Sequence, residues 1–328
     1  MKKLFTLLSF ALIIHGTSFS SEKDNNNFFG VPEGAPFKLI DEARSKMEMR
    51  DLSPEEKEAM KEAYDMELQK RGFDKEGLTP LIRAIKKEKN KIKVVANFLA
   101  NGASVNAGDF LDFTPLHYAA AEGDIEMINI LSNYKPNVNA QGANGKTPLH
   151  WAKDGKTVQC LLSLGALILK DNGFMTPLFS KISLNETDAA RELILSGKED
   201  VNAIAGRHSL LTLAVRLGNE VIVRRLIDAG ASVNKANNHK ETPLFCAVDA
   251  FRYESGSCNL VKLLLFNGAD VNGGIVKGTT PLHLAAQIKN ENLFQLLCKA
   301  GADTNIKDED NKTPSDYYPP IFSKKFMY

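Results

Sequence analysis

The stretch GKTPLHWA, residues 145–152, decides how this 328-residue chain is read. Its first three residues match the tail of a phosphate-binding loop, and its last six begin a different pattern. A phosphate loop, G-x-x-x-x-G-K-[ST], needs its first glycine at position 140, so that backbone N–H groups wrap the phosphates while the lysine reaches them. That position is Ala140. A second fragment, Gly155-Lys156-Thr157, has His150 where its first glycine would stand. Neither fragment carries the loop.

The other pattern recurs. TPLI begins at Thr79, TPLH at Thr114 and Thr147, TPLF at Thr176, a degenerate SLLTLA at Ser209, TPLF at Thr242, TPLH at Thr280 and TPSD at Thr313, with spacings of 35, 33, 29, 33, 33, 38 and 33. A second signature keeps the same register: GASVN ends at Asn106, PNVN at Asn139, DVN at Asn202, GASVN at Asn234, GADVN at Asn272 and GADTN at Asn305. A period near 33 carrying T-P-L-H-x-A resembles the ankyrin repeat. The resemblance spans residues 76–318 as seven copies and a partial eighth: 76–108, 111–141, 144–172, 173–204, 206–236, 239–274, 277–307 and 310–318. It implies an all-α ankyrin-repeat solenoid: helix-turn-helix units joined by β-turn or hairpin loops.

Each copy has a physical reading. Threonine before proline caps a short helix, with proline at the first helical position, where a missing N–H costs nothing. Leu116 and Ala119 fall on one helical face. A second apolar run, VIVRRLI at 221–227, makes an antiparallel partner helix, and Gly230 fits the left-handed position after it. One helix pair cannot bury both its faces, whereas stacked pairs can. Copy three is four residues short, three of them around KDGK between its helices. Copy six carries five extra residues in DAFRYESGS, 249–257. Copy five lacks the motif's proline and histidine, and copy four ends in GKEDVN; local fraying is expected in both.

The termini differ in character. A basic MKK, an eleven-residue apolar run at 4–14 and small Ser18 and Ser20 read as a signal peptide over 1–20, cleaved near Ser20. Eleven apolar residues fall short of the ~20 that span a bilayer, so no stable membrane insertion is expected after cleavage. Residues 21–36 read as a flexible linker. Residues 37–73 read as an N-terminal helical cap, with Ser53-Pro54-Glu55-Glu56 starting its second helix; a separate recognition arm is the alternative. Pro319-Pro320 ends the stack, and 319–328 is a C-terminal tail.

Chemistry is hard to place. Net charge is +1, and −1 once Lys2 and Lys3 leave with the leader, which gives no footprint for nucleic acid. His117, His150 and His283 are each the histidine of TPLH, and neither H-E-x-x-H nor C-x-x-C occurs, so no metal site is expected. No G-x-S-x-G occurs, and nothing pairs a nucleophile with a base; no catalytic residue and no cofactor are expected. Cys160, Cys246, Cys258 and Cys298 read as small buried apolar residues, with Cys246–Cys258 the one pair within a copy.

What remains is surface. The resemblance implies a concave groove of turns and inner helices that binds another protein. Large apolar residues cluster near the turns of copies two to four: Phe110, Phe113, Tyr118, Trp151, Phe174 and Met175. Such residues anchor interfaces, and Phe113, Tyr118, Trp151 and Phe174 are expected to form an aromatic patch on the concave side. The alternative is that Tyr118 and Trp151 only seal neighbouring copies. The expectation is a non-enzymatic, monomeric, exported protein that binds a partner protein, a host protein if the source lives inside another cell. A structural periplasmic role, and an activity in the N-terminal helices, are the other readings.

Overall fold

The structure is a computed structural model that describes residues 72–74, 77–87, 90–205, 207–253, 256–273 and 278–318. The expected leader, linker, all but the last residues of the expected cap, and the tail after 318 lie outside them. Among the described residues the chain alternates short first helices with slightly longer second helices. The first helices are α1 (Pro80–Lys87), α3 (Pro115–Glu122), α5 (Pro148–Trp151), α7 (Pro177–Ser183), α9 (Leu210–Arg216), α11 (Pro243–Asp249), α13 (Pro281–Gln287) and α15 (Pro314–Tyr317). The second helices are α2 (Lys91–Ala100), α4 (Ile125–Ser132), α6 (Gly155–Ser163), α8 (Thr187–Leu195), α10 (Glu220–Asp228), α12 (Cys258–Phe266) and α14 (Glu291–Lys299). This is the ankyrin-repeat fold, all-α with short hairpin loops.

The repeated residues do what their chemistry dictates. Thr176, Thr242 and Thr280 accept hydrogen bonds from the N–H groups of Phe179, Phe245 and His283, each with proline in the first turn. The leucine two places after the threonine is buried throughout, as in Leu116, Leu149, Leu178, Leu211, Leu244 and Leu282. Outside copy two, where Lys135 takes the left-handed conformation, second helices end on a left-handed glycine, Gly230 at φ +90 for example. The following N–H, of Ala231, reaches back to Leu226 O at 2.8 Å and satisfies a carbonyl the helix leaves open.

The described chain falls into two compact units. One comprises residues through Ala121 with Glu126–Pro148, and the other Glu122–Ile125 with Leu149 onward. In the first, α1 packs on α2, and Ala143 N–H donates to Leu111 O at 2.8 Å, tying one turn to the next. In the second, the first helices α7, α9, α11, α13 and α15 pack in series as one row, and α6, α8, α10 and α12 as a second. The signature asparagines link successive copies: Asn234 Oδ1 accepts from Asp270 N–H at 2.8 Å, and its Nδ2 donates to Gly268 O at 3.0 Å.

The irregular copies have compensations that the sequence reading did not foresee. In copy three α5 is a single turn, and Asp154 caps α6 by accepting from Thr157 N–H. In copy five Ser209 and Thr212 cap each other reciprocally in place of the Thr-Pro-x-His arrangement, and β1 (Ile204–Ala205) pairs with β2 (His208–Ser209) as a small hairpin. In copy four Glu199 accepts from Leu178 N–H at 2.9 Å, so its unusual GKED sequence braces the start of α7. The copies expected to fray are held by bonds of their own. The copy-six insertion extends α11 as a 3-10 turn, Ala250–Tyr253.

Candidate functional site

The histidines come first, because they are the obvious metal ligands. His117 Nδ1 faces both Thr114 N–H (3.0 Å) and Thr114 Oγ1 (2.9 Å), and its Nε2 faces Lys146 O at 3.0 Å. An amide N–H can only donate, so Nδ1 accepts and Nε2 carries the proton. His283 repeats this with Thr280 and Lys312 O, at 3.2 and 3.1 Å for the two backbone contacts. His150 Nε2 lies 3.2 Å from Met175 O. His117 and His283 are fully buried. Both ring nitrogens are spent on bracing, so these rings are struts between one copy and the next turn.

The turns form the second feature. In copy four Asp171 N–H donates to Met175 O, and Phe174 N–H to Asp171 O, both at 2.9 Å. Asp171 Oδ1 accepts from Gly173 and Met175 N–H, each at 2.9 Å. The residue after the turn is left-handed. Gly77, Asp112, Gly145, Phe174, Lys240, Gly278 and Asn311 occupy that place, all with φ between 59 and 77. The Asp171 role is taken by Asp109, Asn237 and Asp308 elsewhere. This row of Asp or Asn five places before the threonine was missed in the sequence reading, although its recurrence was there to be found.

Two turn carboxylates also tie the loop to its helix. Tyr118 Oη donates to Asp109 Oδ2, and Tyr317 Oη to Asp308 Oδ2, each at 2.5 Å. Burial pushes the Asp109 carboxyl up to about 6, against the hydrogen bonds that favour its charge. The Tyr317 hydrogen bond first, and then those from Lys312 and Asp310 N–H, hold the Asp308 carboxyl below its ordinary range.

The six expected contact residues separate. Phe113 is 1% exposed, stacks edge-on with His117 at 5.4 Å, and lies where a Cβ on Gly142 would come within 2.4 Å of its ring. Tyr118 is 0% exposed. These two are interior residues that lock turn to helix, a correction to the expected aromatic surface. Phe110 is half-buried, its ring laid over Gly77. All three belong to the first unit. In the second, Trp151 and Met175 are half-buried, while Phe174 stands 75% exposed at its turn.

One charged cluster lies in copies five and six. Arg216 bridges Glu241 at 2.8 Å and Asp249 at 3.5 Å, and Glu241 also accepts from Asn237 at 2.7 Å. Burial pushes the neighbouring Cys246 thiol up to about 12, so it carries no nucleophilic thiolate at neutral pH. Burial, then the Arg216 charge, lowers His208. Charges that neutralise each other across copies brace the stack. All four cysteines are free, with Cys246 buried and the other three half-buried rather than inward. Among the described residues no group of three or more His, Cys, Asp or Glu could hold a metal ion, and no helix is long and apolar enough to cross a membrane.

Comparison with known proteins agrees with this geometry. A family model described as ankyrin repeats (3 copies) matches residues 57–142, 116–205, 178–274 and 250–317. The B-cell lymphoma 3 protein homolog of Mus musculus is 27% identical, covering 74% of this chain and 48% of that protein. Rabankyrin-5 of Homo sapiens is 34% identical over 61% of this chain and 24% of its own length. A putative ankyrin repeat protein, YahD of Escherichia coli strain K12, is 31% identical over 56% of this chain and 94% of its own. The chain thus spans about half or less of the first two relatives. The crystal structure of the ankyrin repeat domain of Bcl-3 matches with a TM-score of 0.57 at 26% identity, covering 63% of this chain and 95% of that one.

Proposed function

The chain belongs to the ankyrin-repeat family, and on that premise we propose that it is a non-enzymatic, monomeric protein-binding module that works outside the cytoplasm. One observation carries the reading. The polar groups of the repeated motif are consumed in bracing copy to copy, as with His283 between Thr280 and Lys312, while the turn residues stay accessible, Phe174 most of all. Repeats braced to one another, with accessible turns, present an extended surface suited to binding a partner. In this reading the half-buried Trp151 and Met175, with Phe174, contribute contact area in one unit, and Phe110 in the other. Export follows from the leader-like residues 1–20. If the source lives inside another cell, a host protein is the natural target.

The test is affinity capture with immobilised residues 21–328, followed by titration of the purified captured protein. Saturable binding at fixed stoichiometry is expected. Failure to find any saturable partner in periplasmic and host extracts would overturn the reading. N-terminal sequencing of the secreted material should begin at Ser21; a chain that keeps residues 1–20 inside the cell refutes the export part alone.

A further inference from the structure

Three successive turns of the second unit carry an unusual set of side chains. Phe174 has φ +61 at a place held elsewhere by glycine, Asp, Asn or Lys. That conformation is unfavourable for any residue with a Cβ, and most of all for a bulky one. The ring is 75% exposed, so burial within the chain returns little. An aromatic residue that costs local strain and gains no packing points outward for its use.

The next two turns present Arg207 and Lys240, and Lys170 leads into the first; all three are exposed. Among the described residues none of the three enters an ion pair. The acids nearby are already engaged: Asp171 with two turn N–H groups, Glu199 with Leu178 N–H, Glu241 with Arg216 and Asn237. At the tips themselves, residues 171–175, 207–208 and 238–241, the exposed charged side chains are Arg207 and Lys240, while exposed Asp200 and Asp228 lie in the connections that lead into the second and third tips.

We propose that the turns bearing Phe174, Arg207 and Lys240 bind an acidic segment of a partner protein, with Phe174 entering an apolar side-chain cluster of that segment and the two cations facing its carboxylates. The proposal deepens the protein-binding reading and rests on it. Packed helices stand about 8–10 Å apart, and an extended chain advances about 3.3 Å per residue. An extended segment would therefore place an apolar residue against Phe174 and acids three and six residues further along. Nucleic acid is disfavoured: three cations fall short of the ~6–10 phosphate contacts that give strong electrostatic binding, and the whole chain carries only +1.

The test uses residues 21–328 and fluorescein-labelled nine-residue Gly/Ser peptides bearing Leu at position one and Glu at four and seven, read by anisotropy. A Lys-for-Glu peptide and a single-stranded oligonucleotide serve as comparisons. Saturable binding of the acidic peptide is expected. Phe174→Gly should weaken it at least about tenfold, as loss of a hot-spot anchor does, while raising Tm by about 2 °C because glycine relieves the left-handed strain. Loss of binding in a variant that is more stable cannot be misfolding. Arg207→Ala with Lys240→Ala should weaken binding and flatten its salt dependence. The proposal falls if the lysine peptide binds as well, if Phe174→Gly binds unchanged, if the oligonucleotide binds in place of the peptide, or if the acidic peptide does not bind at all. In that last case a partner captured independently of Phe174 leaves the protein-binding reading standing.

Discussion

Replacing Asp109 with asparagine should make the fold less sensitive to pH, and more stable at neutral pH. The carboxyl is 2% exposed and accepts from Leu111 N–H, Phe113 N–H and Tyr118 Oη. Burial raises it from 3.8 to about 6. Folded Asp109 thus holds its proton to higher pH than the unfolded chain does. Its contribution is fully present below pH 3.8 and is lost as pH rises through about 6. At about 1.4 kcal/mol per pH unit, the ionised form burdens the fold by about 3 kcal/mol at neutral pH. Asparagine keeps the acceptor without the charge, and Asn237 already does so in copy six, where its Oδ1 takes His239 and Glu241 N–H at 2.9 and 3.0 Å. Urea unfolding of native chain and variant at pH 5.0 and 7.5 isolates the effect, because other titrating groups cancel. The variant should gain about 1–2 kcal/mol on the native chain between the two values. If the native chain gains on the variant instead, its hydrogen bonds outweigh desolvation and the reasoning fails.

Other expectations follow from single contacts. Lys181 is 2% exposed at a place filled by alanine in neighbouring copies, and pairs with Glu186 at 2.6 Å; Lys181→Ala should be neutral or stabilise by about 1–4 kcal/mol, and a loss above about 2 kcal/mol in urea unfolding would refute this. His283→Ala strands Thr280 N–H and Lys312 O and should cost about 3 kcal/mol; a thermal midpoint within 1 °C of native would show that the ring is no strut. Thiol alkylation at pH 8 followed by mass spectrometry should modify Cys246 last, because it is buried and its thiol is pushed up to about 12; early labelling of Cys246 contradicts that burial. Asn234→Ala should speed hydrogen exchange at the Asp270 amide, whose acceptor it removes; unchanged protection there would argue that the amide is held by another group.

Much of the fold was legible from residues alone, and the reason is local. The Thr-Pro start, the leucine two places later and the glycine after the second helix each act within one turn of chain, so their recurrence locates α7, α11 and α13. The degenerate copies were harder to read. Ser209 and Thr212 form a cap that the motif does not spell, and Glu199 reaches back over 21 residues to Leu178.

Exposure was the part the sequence left open. Phe113, Tyr118 and Phe174 look alike as large aromatic residues near turns, and only packing separates them. Tyr118 turns inward because Asp109 offers an acceptor nine residues back. Phe113 turns inward because Gly142, one copy on, leaves room for its ring. Phe174 has neither, and its left-handed backbone carries it outward. By itself the sequence determined the period and the helices, since each depends on neighbours a few residues away; the histidines become struts only through carbonyls 25–29 residues on. Which rings, charges and thiols meet solvent was decided by tertiary structure, because it depends on the copy that packs across each side chain, about 30 residues away in the chain.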